Sequence, residues 1–221
     1  MSAEIKYMSA VMENKESIVI QPPIINGIVT NGMKQRLITV AEYDKMIEHG
    51  ILNKDSNVEL FNGVIIEKMS KGPKHASALS RANRFFFKLF GDEVIIRNQD
   101  PITLDDLSEP EPDLVLARFD EKEYSEHHPN PEDIFLILEI SDTTISFDRN
   151  AKATAYAKAG IPQYILLNLK NQTIEDYREP AEDGYQSKQT YKAGRNFKLV
   201  AFPEIEINVD ELLLTERLSN G

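Results

Sequence analysis

The chain has 221 residues, 41% of them hydrophobic and 28% charged, which allows one mixed α/β domain with its own interior and excludes a wholly disordered chain. There is no cysteine, so disulfides and cysteine-held zinc or iron–sulfur centres are excluded, and a bound metal must take oxygen or imidazole ligands. A formal net charge of −11 works against diffuse binding of a polyanion, so any nucleic-acid contact must rest on a local basic surface.

Residues 1–36 hold a β-prone run, Ser17-Ile18-Val19-Ile20, then Pro22-Pro23 and two Asn-Gly breaks, and are expected to form an arm or an added hairpin ahead of a single domain over 37–215. Thr39-Val40-Ala41-Glu42 is a capping box that opens a helix, and Gly50 closes it. Val58-Glu59-Leu60-Phe61 and Val64-Ile65-Ile66 flank Asn62-Gly63, whose two positive-φ positions suit a tight type I′ hairpin. Residues 74–90 place Leu79, Ala82, Phe86, Leu89 and Phe90 at helical spacing, with Arg81, Arg84 and Lys88 on another face.

Strands are expected at 94–97, 102–104, 113–117 and 134–141, the last nearly continuous in apolar residues and therefore central. Residues 119–133, with His127 and His128, read as an exposed loop. Asp148 is taken as the N-cap of a helix over 149–159 that stops at Gly160, and 163–169 as another buried strand. Residues 173–178, 185–191, 197–201 and 205–209 look like antiparallel edge strands. The fold class expected is α/β, a central mixed sheet flanked by helices with additional antiparallel strands. The longest apolar runs fall far short of the about 18–20 residues of a membrane span, and the N-terminus lacks the pattern of a secretory signal. A soluble, cytoplasmic protein with no membrane partner is expected.

Glu139 lies inside Ile134-Phe135-Leu136-Ile137-Leu138-Glu139-Ile140, where a charge costs several kcal/mol unless it is paired or bound to a cation. Pro112 imposes an extended approach to Asp113, which stands at the mouth of a short apolar strand. Two neighbouring strands that each bring a carboxylate to one end would form an oxygen cage for a hard divalent ion, Mg²⁺ or Mn²⁺. The competing reading of Glu139 is a structural ion pair with a lysine or arginine. His75, near the start of the basic helix, could touch metal, water or phosphate, or serve as a cap. Residues 68–88 contain Lys68, Lys71, Lys74, Arg81, Arg84 and Lys88 with no acid among them. This is the expected nucleic-acid surface, through Lys74, Arg81, Arg84 and Lys88.

Pro112-Asp113 followed by a strand bearing Glu139 resembles the PD-(D/E)xK nuclease superfamily. The longer pattern resembles its Uma2 family of restriction-endonuclease-like proteins: Ile38-Thr39-Val40-Ala41-Glu42-Tyr43, Val58-Glu59-Leu60-Phe61-Asn62-Gly63, Pro73-Lys74-His75, Pro110-Glu111-Pro112-Asp113, Leu138-Glu139-Ile140-Ser141, Asp148-Arg149-Asn150-Ala151-Lys152 and the run from Tyr156 to Tyr164. One position departs from the superfamily, because Ser141 stands where a lysine is expected two residues after the glutamate. The resemblance implies that Lys152 on the following helix supplies that ammonium, that Tyr156 braces it, and that Glu59 adds a further acid and metal ligand. It further implies a restriction-endonuclease-like core, metal-dependent endonuclease activity on nucleic acid, DNA in the first place, and a homodimer. Two rival readings are a non-catalytic nucleic-acid or protein-binding module on the same fold and a metal phosphohydrolase of small phosphates.

Overall fold

A computed structural model of the chain describes residues 35–53 and 55–213; the arm or hairpin expected around Ser17 to Ile20 lies outside the described residues. Helix α1 (Val40–Glu48) is opened by the Thr39–Glu42 capping box, both halves of which form, and is left at Gly50 with φ 69°. Strands β1 (Val58–Phe61) and β2 (Val64–Glu67) pair antiparallel around Asn62 and Gly63, with φ 50° and 74°. Gly63 is also required by space, since a Cβ there would stand 2.6 Å from the Leu37 Cβ.

Helix α2 (Pro73–Phe90) lies across a sheet ordered β3-β4-β5-β6-β7-β8. Its strands are β3 (Val94–Arg97), β4 (Leu114–Arg118), β5 (Ile134–Ser141), β6 (Gln163–Asn168), β7 (Thr173–Ala181) and β8 (Gly184–Tyr191). The β5/β6 pair is parallel and all the others are antiparallel, so the sheet is mixed as expected. The parallel pair requires a crossover, formed by α3 (Ile145–Phe147), a π-helical turn (Asp148–Lys152) and α4 (Ala153–Lys158). A separate hairpin, β9 (Asn196–Lys198) with β10 (Glu206–Asn208), completes the domain.

Alternation along the strands divides the interior. Leu114, Leu116, Leu136, Leu138 and Ile140 face α2 and the β9/β10 hairpin, while Val115, Ile137, Tyr164 and Leu166 face α4. Both faces of β5 and β6 are thereby covered, which is why their sequences are apolar without alternation. Among the described residues no helix is long and apolar enough to cross a membrane.

Four local expectations need correction. Residues 102–104 are extended but join no ladder: Ile102 N–H donates to Pro110 O at 3.0 Å, and proline has no N–H with which to reciprocate. Leu89 is 36% exposed, and α2 is anchored by Ala78, Ala82, Phe86 and Phe90. The last four strands are not all edges, because β7 lies between β6 and β8, while β9 and β10 pair with each other. Asp148 is not an N-cap; the chain is already helical from Ile145, and its backbone sits at φ −65° and ψ −40°.

Glu109 carries a pH-dependent share of the stability. It is buried beside β1, with its N–H on Leu60 O at 2.9 Å and Thr103 Oγ1 donating to its carboxylate at 3.3 Å. Burial, with the charge of Asp44 adding to it, pushes its carboxyl up to about 7. A carboxyl raised above its unfolded value favours folding while protonated, and that contribution is lost as pH rises from about 4.5 through about 7. Glu109→Gln is therefore expected to melt like the parent near about pH 5 and above it near about pH 8. Identical melting differences at both pH values would remove Glu109 as the titrating group.

Candidate active site

The β4/β5 register brings the two sequence-predicted carboxylates together. Leu114 pairs with Leu138, so one step further out Asp113 stands opposite Glu139, and both belong to the parity that faces the crossover helix. Each also holds the other's backbone: Asp113 N–H donates to Glu139 Oε2 at 3.4 Å, and Ile140 N–H to Asp113 Oδ2 at 2.9 Å. Each is 4% exposed.

The crossover delivers the cation. Through the π turn Asp148, Ala151 and Lys152 all face inward, a local widening of the helix of a kind often found at functional sites. Lys152 Nζ donates to Glu139 Oε1 at 2.7 Å and lies 3.8 Å from Glu59 Oε1, while Tyr156 OH donates to the same Glu139 oxygen at 2.8 Å. Asp148 accepts from Thr144 Oγ1 at 2.6 Å. Burial would strip the proton from Lys152, but Glu139, Glu59 and Asp148 outweigh it and hold the ammonium far above its usual range. Burial pushes Glu139 up, to about 8, against the pull of Lys152 and with the charges of Asp113 and Asp148 adding to the rise.

The opposite wall comes from β1, the loop after β2 and the start of α2. Glu59 Oε2 accepts from Glu111 N–H at 2.9 Å, and Glu111 is paired with Lys68 at 2.5 Å. Asp113 is the most heavily solvated by protein: His75 Nε2 is 2.9 Å from Oδ2, while Gln99 Nε2 and Lys71 Nζ are each 3.2 Å from Oδ1. Burial acts to raise its carboxyl, yet His75, Lys71 and the Ile140 N–H together hold it well below the usual carboxylate range. A cleft of about 340 Å³ opens over these groups.

Asp113, Glu139, Lys152, Glu59, His75 and Tyr156 are thus brought together. Lys74, Arg81, Arg84 and Lys88 are not in the cleft lining: they follow α2 away from it, with Lys74, Arg84 and Lys88 exposed and Arg81 half-buried. His127 and His128 lie on the loop between β4 and β5 and are not in the cleft lining. Sequence reasoning missed three participants. Asp148 was hidden by its resemblance to a cap. Lys71 sits in a loop with no period, and Gln99 is in a loop with a positive φ of 60°.

An oxygen-only donor set suits a hard ion. Among the described residues, however, no three His, Asp or Glu side chains converge as a ligand cage. In this structure the two oxygens of Glu59 face the Glu111 N–H and Lys152. The facing carboxylates of Asp113 and Glu139 are oxygen donors of the kind that would suit Mg²⁺, an ion commonly bound through one or two carboxylates and water.

No curated protein is detectably similar in sequence. Among solved structures, the chain resembles one described as "a putative nuclease belonging to DUF820" from Anabaena variabilis ATCC 29413, with a TM-score of 0.60 and 17% identity over 79% of this chain and 97% of that one. At that identity the likeness concerns the fold. Residues 40–210, which include every side chain of the cleft, match the model of the Uma2 family, described as "Putative restriction endonuclease", and the chain belongs to that family.

Proposed function

We propose that this chain is a metal-dependent endonuclease that hydrolyses DNA phosphodiesters. The observation that carries the reading is the buried cross-strand pair Asp113 and Glu139, with a protonated Lys152 on Glu139, at the floor of an open cleft. Asp113 and Glu139 would hold Mg²⁺ or Mn²⁺. Such an ion, when bound, supplies Lewis acidity toward a phosphoryl oxygen and lowers the pKa of water. Lys152 stabilises the negative charge that develops on the phosphoryl group, a task for a fixed ammonium held in a poorly solvated site. Tyr156 holds the Glu139 oxygen that this ammonium faces, Glu59 stands 3.8 Å from the ammonium, and Thr144 holds Asp148. His75 keeps Asp113 ionised and oriented.

A second reading, a binding module without turnover, is favoured by one observation: Asp113 and Glu139 already have cationic partners from the chain itself. The deciding experiment incubates the protein with supercoiled and linear duplex DNA, single-stranded DNA, RNA and a small phosphodiester, in Mg²⁺, Mn²⁺ or EDTA, beside Glu139→Gln. Metal-dependent nicking of the circle that Glu139→Gln lacks supports the nuclease. Binding without cleavage of any polymer supports the module, and turnover of the small ester alone supports a phosphohydrolase.

The stripe of Lys74, Arg81, Arg84 and Lys88 would carry the flanking phosphates. Arg81→Glu with Arg84→Glu is expected to weaken DNA binding and to flatten the slope of log K against log salt by about 2, near 0.9 for each lost phosphate contact. An unchanged slope would take this face out of the interface.

A further inference from the structure

Among the described residues, Lys71 is the one cleft lysine whose partner is Asp113, a proposed metal ligand, and it is itself partly exposed. Its Nζ is 3.2 Å from Asp113 Oδ1, and its side chain is 34% exposed against 5% for that of Asp113. Lys152, by contrast, is buried and tied to Glu139. Lys71 is carried by the connection between β2 and α2, where residues 68–72 belong to no strand or helix and Gly72 has open space around it. The flexible four-carbon stem of the lysine can swing about its own torsions without disturbing the sheet. Asp113 would not be left bare, because His75, Gln99 and the Ile140 N–H remain on it.

Resting on the metal reading above, we propose that Lys71 is an exchangeable counter-ion: it neutralises Asp113 while no divalent ion is bound and turns to a substrate phosphate when one is. An ammonium and a divalent cation cannot share one carboxylate oxygen at contact distance without strong repulsion. With Asp113 taken and Glu111 already paired with Lys68, a phosphodiester backbone entering the cleft is an anion that Lys71 can meet at its rim. The exchange couples the two ligands, since metal frees Lys71 for the substrate and substrate keeps Lys71 off Asp113. By reciprocity each must tighten the other's binding by the same factor.

The test is calorimetric titration of Mn²⁺ and of Ca²⁺ into the full chain, Lys71→Met and Lys68→Met. The two variants lose the same charge from the same cleft, but Lys68 is paired with Glu111 and not with Asp113. Lys71→Met is expected to bind the ion about tenfold more tightly than the parent, the equivalent of one ordinary charge-assisted hydrogen bond no longer broken on binding. Lys68→Met should change much less. Repeating the Ca²⁺ titration with a short duplex DNA present should tighten binding to the parent and leave Lys71→Met nearly unaffected. Equal gains in both variants would mean a general field effect and overturn the exchange. Metal binding by the parent with no gain in Lys71→Met overturns it as well, while leaving the metal site standing. Absence of binding to the parent and all variants overturns the metal reading and the exchange together.

Discussion

Lys152→Met is expected to slow cleavage about 10²–10³-fold and to lower the melting point in EDTA far more than it does in saturating Mg²⁺ or Mn²⁺. Lys152 is the one buried cation among the described residues, and it faces Glu139 at 2.7 Å and Glu59 at 3.8 Å, with Asp148 acting on it from the same turn. Above about pH 8, where Glu139 is ionised in the parent, removing Lys152 takes one partner from a buried ion pair and costs about 3–5 kcal/mol. In a domain of this size that is roughly 10 °C in Tm. An ion bound by Asp113 and Glu139 would return part of the lost positive charge, so the metal-induced rise in Tm should be larger in the variant than in the parent. For the chemistry, losing a fixed group that stabilises developing charge costs about 10²–10³-fold in kcat. Lys152→Arg should recover much of the stability, because the positive charge beside Glu139 and Glu59 is kept, without recovering the rate, because a planar guanidinium cannot aim its charge as the compact ammonium does. Near-parental cleavage by Lys152→Met would end the role given to this lysine, and an unchanged Tm in EDTA would show that the acids do not depend on it.

The parts of the fold that were legible in the sequence are those set by local chemistry. The Asn62-Gly63 turn, the Thr39–Glu42 box and the uninterrupted apolar run of β5 each specify an element without help from elsewhere. The same locality made Glu139 visible, since a carboxylate inside such a run has to be accounted for. What was not legible depends on partners. Residues 102–104 have the composition of a strand, but the segment beside them presents Pro110, which cannot donate. Asp148 has the composition of a cap, yet the helix begins a turn earlier, and the π turn that aims Asp148 and Lys152 inward breaks the 3.6-residue period that sequence reading relies on. The opposition of Asp113 and Glu139 is a matter of register, fixed by the pairing of Leu114 with Leu138 across the sheet. The hold of Lys71 and Gln99 on Asp113 comes from connections between elements, where no periodicity exists to be read.

Glu139→Gln should melt at or above the parent in EDTA at alkaline pH, lose most of its response to Mg²⁺ or Mn²⁺, and show no cleavage. Two attractions hold the carboxylate, from Lys152 and from the Tyr156 hydroxyl, and glutamine keeps an oxygen with which to accept from both. Against them stand burial and the charges of Asp113 and Asp148, and the balance raises the carboxyl to about 8. The sign follows from that direction. A carboxyl raised above its unfolded value contributes stability fully below about 4.5, and the contribution is lost as pH rises through about 8, where the buried group must ionise. Glutamine stays neutral throughout, so parent and variant should converge in acid and separate above about pH 8, with the variant higher. A divalent ion reverses the order. It stabilises the native parent by RT ln(1 + [M]/Kd), about 2.7 kcal/mol at roughly one hundred times Kd, and the variant has lost one of the two carboxylates that would hold it. If Glu139 served only as the structural partner of Lys152, the variant would instead melt lower in EDTA at every pH and respond to metal as the parent does, because the lysine would be left buried beside a neutral amide. Melting curves of both proteins across pH, with EDTA and with Mn²⁺, separate a metal-holding glutamate from an ion-paired one without any measurement of activity.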